Sequence, residues 1–205
     1  GADVTAEEGY AAAGYAAAIA GVAAEGRPGD DLLVFLGFDF AAAVAAAAVA
    51  HPSHLLVQVD SCPPNKASVG NVVCALFAEE QVAFAAGALA ALASSSGVVG
   101  GVFGAPLGPL LRFEQGFKAG ARHAVPGVAV ETQFVHDFGD LAAGAAVAEH
   151  MVASRGADVI FGAAGGTSIG ALNWCLAHNV SAIGVDSDQF HAVYGGDAQA
   201  TPGLK

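Results

Sequence analysis

The feature that most constrains this sequence is a regular alternation of short apolar runs with longer helical segments. This alternation predicts an α/β fold, in which helices cover both faces of parallel sheets. The predicted strands are residues 31–36, 55–59, 69–76, 98–103, 128–135, 158–161 and 182–185. The predicted helices run from a capping-box pattern at Thr5 to about Glu25, then over 41–50, 81–93, 110–123 and 141–154, with another between the last two strands.

Composition and charge exclude several classes of partner. The chain has 205 residues, of which 55% are hydrophobic and 13% are charged, and this is a globular rather than a disordered composition. The formal net charge is −12, with only seven Lys and Arg residues. Because phosphate recognition needs clustered cations, we expect no nucleic acid and no anionic membrane surface as a partner.

Cysteines and histidines give no sign of a metal or a cofactor. Cys62, Cys74 and Cys175 are scattered and lack C-x-x-C spacing, which predicts buried free thiols rather than a disulfide framework or a zinc site. His51 and His54 flank a proline, and the other five histidines are dispersed. We therefore predict neither a metal site nor a cofactor.

The chain is predicted to form two lobes. The βα spacing is broken by the turn at Pro63-Pro64, and an extended run around 72–77 follows it, which places a partial N-terminal lobe at 1–77 and a C-terminal lobe at 78–205. The first ten residues, GADVTAEEGY, contain no secretory signal. The apolar segment 32–50 is interrupted by Gly37 and Asp39, which favours a strand, a turn and a helix over a membrane span.

Aromatic and acidic side chains follow the predicted strands. The carboxyl ends of parallel strands meet at one edge of a sheet, so these side chains should face a common crevice. They are Phe38, Asp39, Asp60, Phe77, Glu79, His136, Phe138, Asp140, Asp186 and Asp188, together with the loop Gly165-Gly166-Thr167. Carboxylates accept hydrogen bonds from vicinal hydroxyls, phenyl rings stack on flat faces, and a glycine loop presents N–H donors. The set favours a neutral, hydroxylated, partly aromatic ligand. For Asp39 and Asp140, capping of the following helix is an equally open interpretation.

Two enzyme motifs overlap the same region. Gly166-Thr167-Ser168-Ile169-Gly170 matches the G-x-S-x-G pattern of serine hydrolases, and Asp186 or Asp188 followed by His191 would complete a triad. Four small residues precede Gly166 and make the turn too slack for a nucleophile elbow, and no HGGG-type oxyanion loop is present. Dinucleotide binding would use an acidic residue about 20 positions after the glycines, as Asp186 is, but Thr167 stands where the second glycine is required.

Several segments resemble one family of binding proteins. The most specific are GADVIF at 156–161, AGGT at 164–167 and IGVDSDQ at 183–189. Earlier segments that agree are 34–38, Asp60, Glu79-Glu80, 84–87, Arg112-Phe113, 116–120, Phe138 and Asp140. Collinear over nearly the whole chain, these segments resemble the basic membrane protein family, the purine-nucleoside-receptor-like lipoproteins that serve as substrate-binding components of ABC importers.

The resemblance implies a fold of the periplasmic-binding-protein type I class, in which two lobes close on a nucleoside by a hinge motion. Asp186 is then expected to accept hydrogen bonds from ribose hydroxyls, Asp60 to supply a polar contact from the other lobe, and Phe138 to stack on the base. Gly165 and Gly166 would form a wall of backbone amides. Asp188 and Phe38 are further candidate ligand contacts.

The resemblance also implies a protein without catalysis. It implies an ABC permease as the partner of the full-length protein and an extracytoplasmic position at the plasma membrane, held by a lipid anchor that this chain does not contain. The family begins with a strand and an acidic-Asn-Phe loop and ends with a crossing back to the first lobe, and the chain lacks both. We therefore expect a first lobe without its first strand, open down the middle, and weak or no nucleoside affinity. A ligand-sensing extracytoplasmic domain of a receptor remains an alternative.

Overall fold

The computed structural model describes residues 14–25 and 31–195, and there the chain alternates between helices and strands as predicted. The strands are β1 (Leu32–Leu36), β2 (Leu55–Val59), β3 (Val72–Ala75), β4 (Val98–Phe103), β5 (Ala129–Phe134), β6 (Val159–Ala163) and β7 (Ser181–Ile183). The helices are α1 (Tyr15–Glu25), α2 (Ala41–Ala50), α3 (Glu79–Ala93), α4 (Gly108–Ala124), α5 (Leu141–Arg155), α6 (Gly166–Ala177) and α7 (Gln189–Ala192). Short 3-10 segments lie at Phe38–Phe40 and Lys66–Ser68.

Element boundaries differ from the predictions mainly around β3 and α3. β3 begins at Val72 rather than at residue 69, because Lys66–Ser68 form a 3-10 turn just before it. α3 begins two residues early, since Glu79 and Glu80 lie in its first turn, where carboxylates favour a helix N-terminus. The predicted capping box at Thr5 lies outside the described residues.

The chain divides into two compact units, a first unit (Gly1–Phe77) and a second unit (Ala78–Lys205). The interpretation of these units as the two lobes of a binding protein stays a prediction. Within the described residues no helix is long and apolar enough to cross a membrane.

The described strands of the first unit form a parallel sheet in the order β1-β2-β3. The expectation that this sheet is open down the middle is wrong, because β1 and β2 pair along their whole length, from Leu32 opposite Leu55 to Leu36 opposite Val59. Leu33 and Leu56, on one face of the sheet, are buried in a cluster with Val44 of α2 and Ile19 of α1. The two helices thus cover that face.

The prediction of three free cysteines is wrong for two of them. Cys62 and Cys74 form a disulfide, with Cα atoms 5.4 Å apart, which joins the segment after β2 to β3. Only the pairing of β2 with β3 brings the two cysteines together, and C-x-x-C spacing does not report such a pairing. Cys175 is a buried free thiol, as predicted, and burial raises its pKa to about 12.

The second unit contains a parallel sheet with the strand order β5-β4-β6-β7. Every residue of β6 is buried, which explains its continuous apolar run. Phe161 of β6 stacks on Phe117 of α4 with ring centroids 5.2 Å apart, and Phe103 of β4 packs edge-on against Phe161 at 6.0 Å. These rings hold α4 against the sheet.

Helices α3 and α4 pack with their backbones in contact, through glycines. A Cβ atom added to Gly120 would overlap the carbonyl oxygen of Phe84, and one added to Gly116 would overlap that of Glu80. We call this contact the α3–α4 seam. A second seam joins α5 to α6, where Gly144 lies against Thr167.

One carboxylate, that of Asp158, ties two distant parts of the second unit together. Asp158, before β6, accepts hydrogen bonds from the hydroxyl of Ser94 and the backbone N–H groups of Ser95 and Ser96, at 2.6 to 2.8 Å. Partial burial raises the pKa of Asp158, but these hydrogen bonds outweigh it and hold the pKa below its ordinary value. Asp158 therefore fixes the turn between α3 and β4.

Candidate ligand-binding site

The predicted site residues follow the carboxyl ends of strands in each unit. In the first unit, Phe38 follows β1 and Asp60 follows β2. In the second unit, Phe138 follows β5, the loop of Gly165 and Gly166 follows β6, and Asp186 and Asp188 follow β7. Since neighbouring strands in each sheet are parallel, the candidates of each unit share one edge of their sheet.

Phe138 packs into the edge of the second unit's sheet. A Cβ atom at Gly104, directly after β4, would overlap the ring of Phe138, so the ring lies against bare backbone. The carbonyl oxygen of Phe138 accepts a hydrogen bond from the N–H of Thr167 at 3.2 Å. A Cβ atom at Gly165 would lie 3.0 Å from that same oxygen, and Gly165 also has a positive φ of 54°. The structure thus brings Phe138, Gly165 and Gly166 together.

Thr167 links these two loops, a structural role that the sequence analysis did not predict although it placed Thr167 in the glycine loop. Its side chain is buried, and its hydroxyl donates to the carbonyl of Asp137 and accepts from the N–H of Asp140, both at 3.0 Å. These bonds fix the Phe138 loop to the N-terminus of α6. A threonine directly after a glycine pair is the only sequence signal for this role.

Asp186 and Asp60 have an unusual backbone conformation in common. Asp60 has φ of 70° and Asp186 has φ of 65°, in the left-handed region that non-glycine residues rarely adopt. The N–H of Asp60 donates to the carbonyl of Ala75 at 3.0 Å, so its backbone is fixed to β3. Non-glycine residues held in this region cluster at ligand-binding sites. The shared conformation distinguishes these two aspartates from the other acidic candidates.

Asp188 has a structural role in the described residues. Its carboxylate accepts a hydrogen bond from the N–H of His191 at 3.2 Å and contacts the imidazole Nδ1 of His191 at 2.8 Å, so it caps α7. The side-chain bond to His191 holds the pKa of this exposed carboxylate below its ordinary value. Ligand contact by Asp188 remains a prediction.

The tip of β1 is held by side chains from β2 and from the segment that follows it. Gln58 is buried, and its Nε2 donates to the carbonyl of Gly37 at 2.6 Å and to that of Val59 at 3.1 Å. Ser61 donates to the carbonyl of Phe38 at 3.3 Å. Gly37 has φ of 121°, which strongly favours glycine. Sequence reasoning missed Gln58, although a polar residue inside the apolar run LLVQV is a visible signal.

Two acidic residues counted among the strand tips have other partners. Asp140 caps α5 by accepting a hydrogen bond from the N–H of Ala143 at 2.9 Å, which decides between its two interpretations. Glu79 is buried in the first turn of α3 and pairs with Arg112 of α4, with 2.6 Å between Oε2 and Nε. Burial raises the pKa of Glu79, but the hydrogen bond and charge of Arg112 outweigh it and lower the pKa. Glu79 is thus an internal ion-pair residue.

The serine of the G-x-S-x-G pattern is placed for packing. Ser168 is buried inside α6, and its hydroxyl donates to the carbonyl of Gly165 at 2.6 Å. A serine nucleophile must instead stand exposed on a sharp strand-to-helix turn beside a base. The structure therefore disfavours the hydrolase interpretation.

Two further observations concern other parts of the described structure. Within residues 14–25 and 31–195, no group of three or more His, Cys, Asp or Glu side chains is arranged to hold a metal ion. A surface groove in the first unit is lined by residues such as Ala48, Pro52 and Asn71. Pro52 and Asn71 precede β2 and β3, so this groove lies at the opposite edge of the sheet from Asp60.

Comparisons with known proteins agree on one family. Residues 4–201 match the Bmp family model, described as ABC transporter substrate-binding protein PnrA-like. The chain is 35% identical over 171 residues to the ABC transporter nucleoside-binding protein BmpA of Lactococcus lactis, covering 80% of this chain and 48% of that protein. It is 32% identical over 163 residues to basic membrane protein A of Borreliella burgdorferi, covering 78% and 48% of the two chains.

Structural comparison gives the same result. An ABC transporter solute-binding protein from Aeropyrum pernix superposes with a TM-score of 0.76 at 26% sequence identity, covering 88% of this chain and 52% of that one. The chain thus spans about half the length of these relatives. The α/β architecture is that of type I periplasmic-binding-protein-like folds, as the resemblance implied.

Proposed function

From the premise that the chain belongs to the Bmp family of PnrA-like ABC transporter substrate-binding proteins, we propose that it binds a purine nucleoside, or a similar neutral hydroxylated ligand, for import. The observation that carries the proposal is the left-handed backbone of Asp60 and Asp186 at strand ends. A carboxylate held in a costly conformation is suited to a fixed set of hydroxyl groups.

The neighbouring groups support a ligand with both a sugar and a flat ring. Around the Gly165 loop, the residues described above are backbone, a phenyl ring and carboxylates, without a cation. Such a surface favours N–H and hydroxyl hydrogen bonds with ring stacking over the binding of a phosphate. In this proposal Asp186 binds ribose hydroxyls, Phe138 stacks on the base and Gly165 and Gly166 supply backbone contacts. Asp60 and Phe38 contribute contacts from the first unit.

The disulfide supports an extracytoplasmic location for the protein. Disulfides persist in oxidising compartments and are rare where thiols are kept reduced. The Cys62–Cys74 bond joins residues beside the Asp60 tip, so oxidation strengthens the part of the first unit that carries a candidate contact. An ABC permease is the partner proposed for the complete transporter. No catalytic step is proposed.

Ligand-observed saturation-transfer NMR tests the proposal, because it detects weak as well as tight binding. We expect transfer from the chain to guanosine, adenosine or inosine, and much less transfer to free ribose. Asp186→Asn removes the charge at nearly constant size and should abolish the signal. The charge-matched control Glu149→Gln changes an exposed carboxylate within α5 and should leave the signal unchanged. Equal transfer to wild type and Asp186→Asn would overturn the assignment of Asp186, and no transfer to any nucleoside would overturn nucleoside binding by this chain.

A further inference from the structure

The Cys62–Cys74 disulfide lies directly beside the left-handed turn at Asp60. Gln58 of β2 lies opposite Cys74 of β3 in the sheet. Past the end of β2, the N–H of Asp60 donates to the carbonyl of Ala75 at 3.0 Å. Two residues later, Cys62 is bonded to Cys74. The disulfide therefore fastens the chain after the turn to the same strand that holds the chain before it.

The disulfide requires the chain to bend after β2. Cys62 is four residues after Gln58, and in an extended chain it would lie about 13 Å farther along the sheet than Cys74, at about 3.3 Å per residue. A disulfide joins Cα atoms that are at most about 7 Å apart, and those of Cys62 and Cys74 are 5.4 Å apart. Asp60, with φ of 70°, is the residue of this segment that lies in the left-handed region. The bond thus excludes a straight path past Asp60 and favours the bend that this residue makes.

We propose that the Cys62–Cys74 disulfide positions Asp60 for ligand contact, so that the oxidised protein binds its ligand more tightly than the reduced protein. This role rests on the proposed function, in which Asp60 contacts the nucleoside from the first unit. A left-handed backbone at a non-glycine residue persists only where the surrounding structure enforces it. After reduction, the hydrogen bonds from Asp60 to Ala75 and from Ser61 to Phe38 remain, but both constrain the turn less than a covalent bond does. A chain that straightens there would turn the carboxylate away from the hydroxyl groups of the ligand.

Asp186 provides a comparison within the same chain. It has a similar φ of 65°, but the cysteine nearest to it in the sequence, Cys175, is a free thiol buried in α6. Beside this second turn, the N–H of Val185 donates to the side-chain oxygen of Gln189 at 3.2 Å. Reduction should therefore change the turn at Asp60 and leave the turn at Asp186 as it is.

Proton NMR of the full 205-residue chain tests the positioning role without a ligand. Dithiothreitol reduces the bond in two thiol–disulfide exchanges: one of its thiolates forms a mixed disulfide, and the other closes the oxidised ring and releases Cys62 and Cys74 as thiols. A positive φ brings a residue's own N–H and Hα hydrogens close together, so the nuclear Overhauser effect between them is strong. We expect this effect to fall at least about twofold at Asp60 on reduction, as the left-handed population falls, and to stay constant at Asp186.

Saturation-transfer NMR with guanosine, adenosine and inosine tests the consequence for binding. We expect the affinity to fall at least about threefold on reduction, because only molecules with the turn formed present the carboxylate to the ligand. The double variant Cys62→Ser with Cys74→Ser should show the same loss without reductant and no further change with it. In Asp60→Ala, reduction should leave the affinity unchanged, because the contact that the disulfide positions is already absent.

Each measurement can overturn the proposal. An unchanged Overhauser effect at Asp60 after reduction would show that other contacts hold the turn. Equal losses of affinity in the wild type and Asp60→Ala would mean that the bond stabilises the first unit as a whole, and so would the loss on reduction of the dispersed amide signals of the buried residues Leu33 and Leu56. A wild type that binds none of the three nucleosides in either state would contradict nucleoside binding by this chain, and the Overhauser effect at Asp60 would still decide whether the disulfide holds the turn.

Discussion

The α3–α4 seam predicts that Gly120→Ala destabilises the second unit. In an exposed helix the same change would stabilise by about 1 kcal/mol, because glycine has the lower helix propensity. At Gly120 the added Cβ atom would overlap the carbonyl oxygen and carbonyl carbon of Phe84. These are backbone atoms of α3, so no side-chain rotation relieves the overlap and one helix must move.

The size of the effect follows from two opposing contributions. Forcing a methyl group into a packed contact costs about 1–3 kcal/mol or more, and here it must also exceed the propensity gain of about 1 kcal/mol. The difference is roughly 0–2 kcal/mol. Because the overlap is with backbone atoms, we expect Gly120→Ala to lower the free energy of unfolding by the upper part of that range. The matched control is Ala85→Gly, at an exposed position of α3. It should cost about 1 kcal/mol through propensity alone.

Urea unfolding followed by tryptophan fluorescence measures both variants. The chain contains a single tryptophan, Trp174 of α6, so the signal reports the second unit. If Gly120→Ala instead raised the free energy of unfolding, by about as much as Ala85→Gly lowers it, the helices would not be in contact at the seam. That result would contradict the packing described for α3 and α4.

Three further predictions concern ionisation and cysteine chemistry. The pKa of Glu79 is lowered below 4.5, so its pairing with Arg112 stabilises the fold above that pH, and this stabilisation is lost as the pH falls through the lower native pKa. Glu79→Gln should cost about 1–2 kcal/mol at pH 7, since Arg112 is partly exposed. When stability is measured by urea titration at several pH values, the variant should lose less stability than the wild type as the pH is lowered. Reduction of the Cys62–Cys74 disulfide should destabilise the first unit by about 2–3 kcal/mol, measured by circular dichroism with and without dithiothreitol. A thiol assay on the denatured chain should count one free thiol before reduction and three after it. Cys175, whose pKa is about 12, should resist iodoacetamide in the native protein at pH 8 and react fully in urea, and native labelling at a rate near that of the denatured chain would contradict its burial.

Local pattern was sufficient to predict the order of elements. The run 98–103 is confirmed as β4 without change, and 55–59 as β2, because a short apolar run between turn signals is a property of adjacent residues. The alternation of these runs with helices predicted the α/β fold, and the resemblance of segments such as IGVDSDQ at 183–189 predicted the family; both are confirmed. The tip residues were found as well, since parallel strands place the residues that follow them at one edge.

Contacts between distant residues could not be predicted in the same way. Glu79 is an acidic residue after a strand, but its partner Arg112 is 33 residues away on another helix. Cys62 and Cys74 meet only because β2 and β3 pair. In each case the sequence shows the side chain, and the packing of two elements decides its partner.

The glycines show how such information can still be present in a sequence. Gly116 and Gly120 are four residues apart in α4, so they lie on one helix face, and each removes the Cβ atom that would separate α4 from α3. Glycine in a helix is costly unless it permits a close approach. A pair of glycines at this spacing within an otherwise good helix therefore indicates a backbone contact, even where the partner helix is unknown.

The two aspartates combine both kinds of information. Sequence position alone placed Asp60, Asp140 and Asp186 in one group, as acidic residues after strands. The structure separates them by backbone conformation, because Asp140 adopts the extended conformation of a helix cap whereas Asp60 and Asp186 are left-handed. A capping residue such as Asp140 is stabilised by the hydrogen bond that it accepts from its own helix. A left-handed backbone at an aspartate costs about 1–3 kcal/mol, which other interactions in the fold must offset. On this ground we propose Asp60 and Asp186 ahead of the other acidic candidates as ligand contacts.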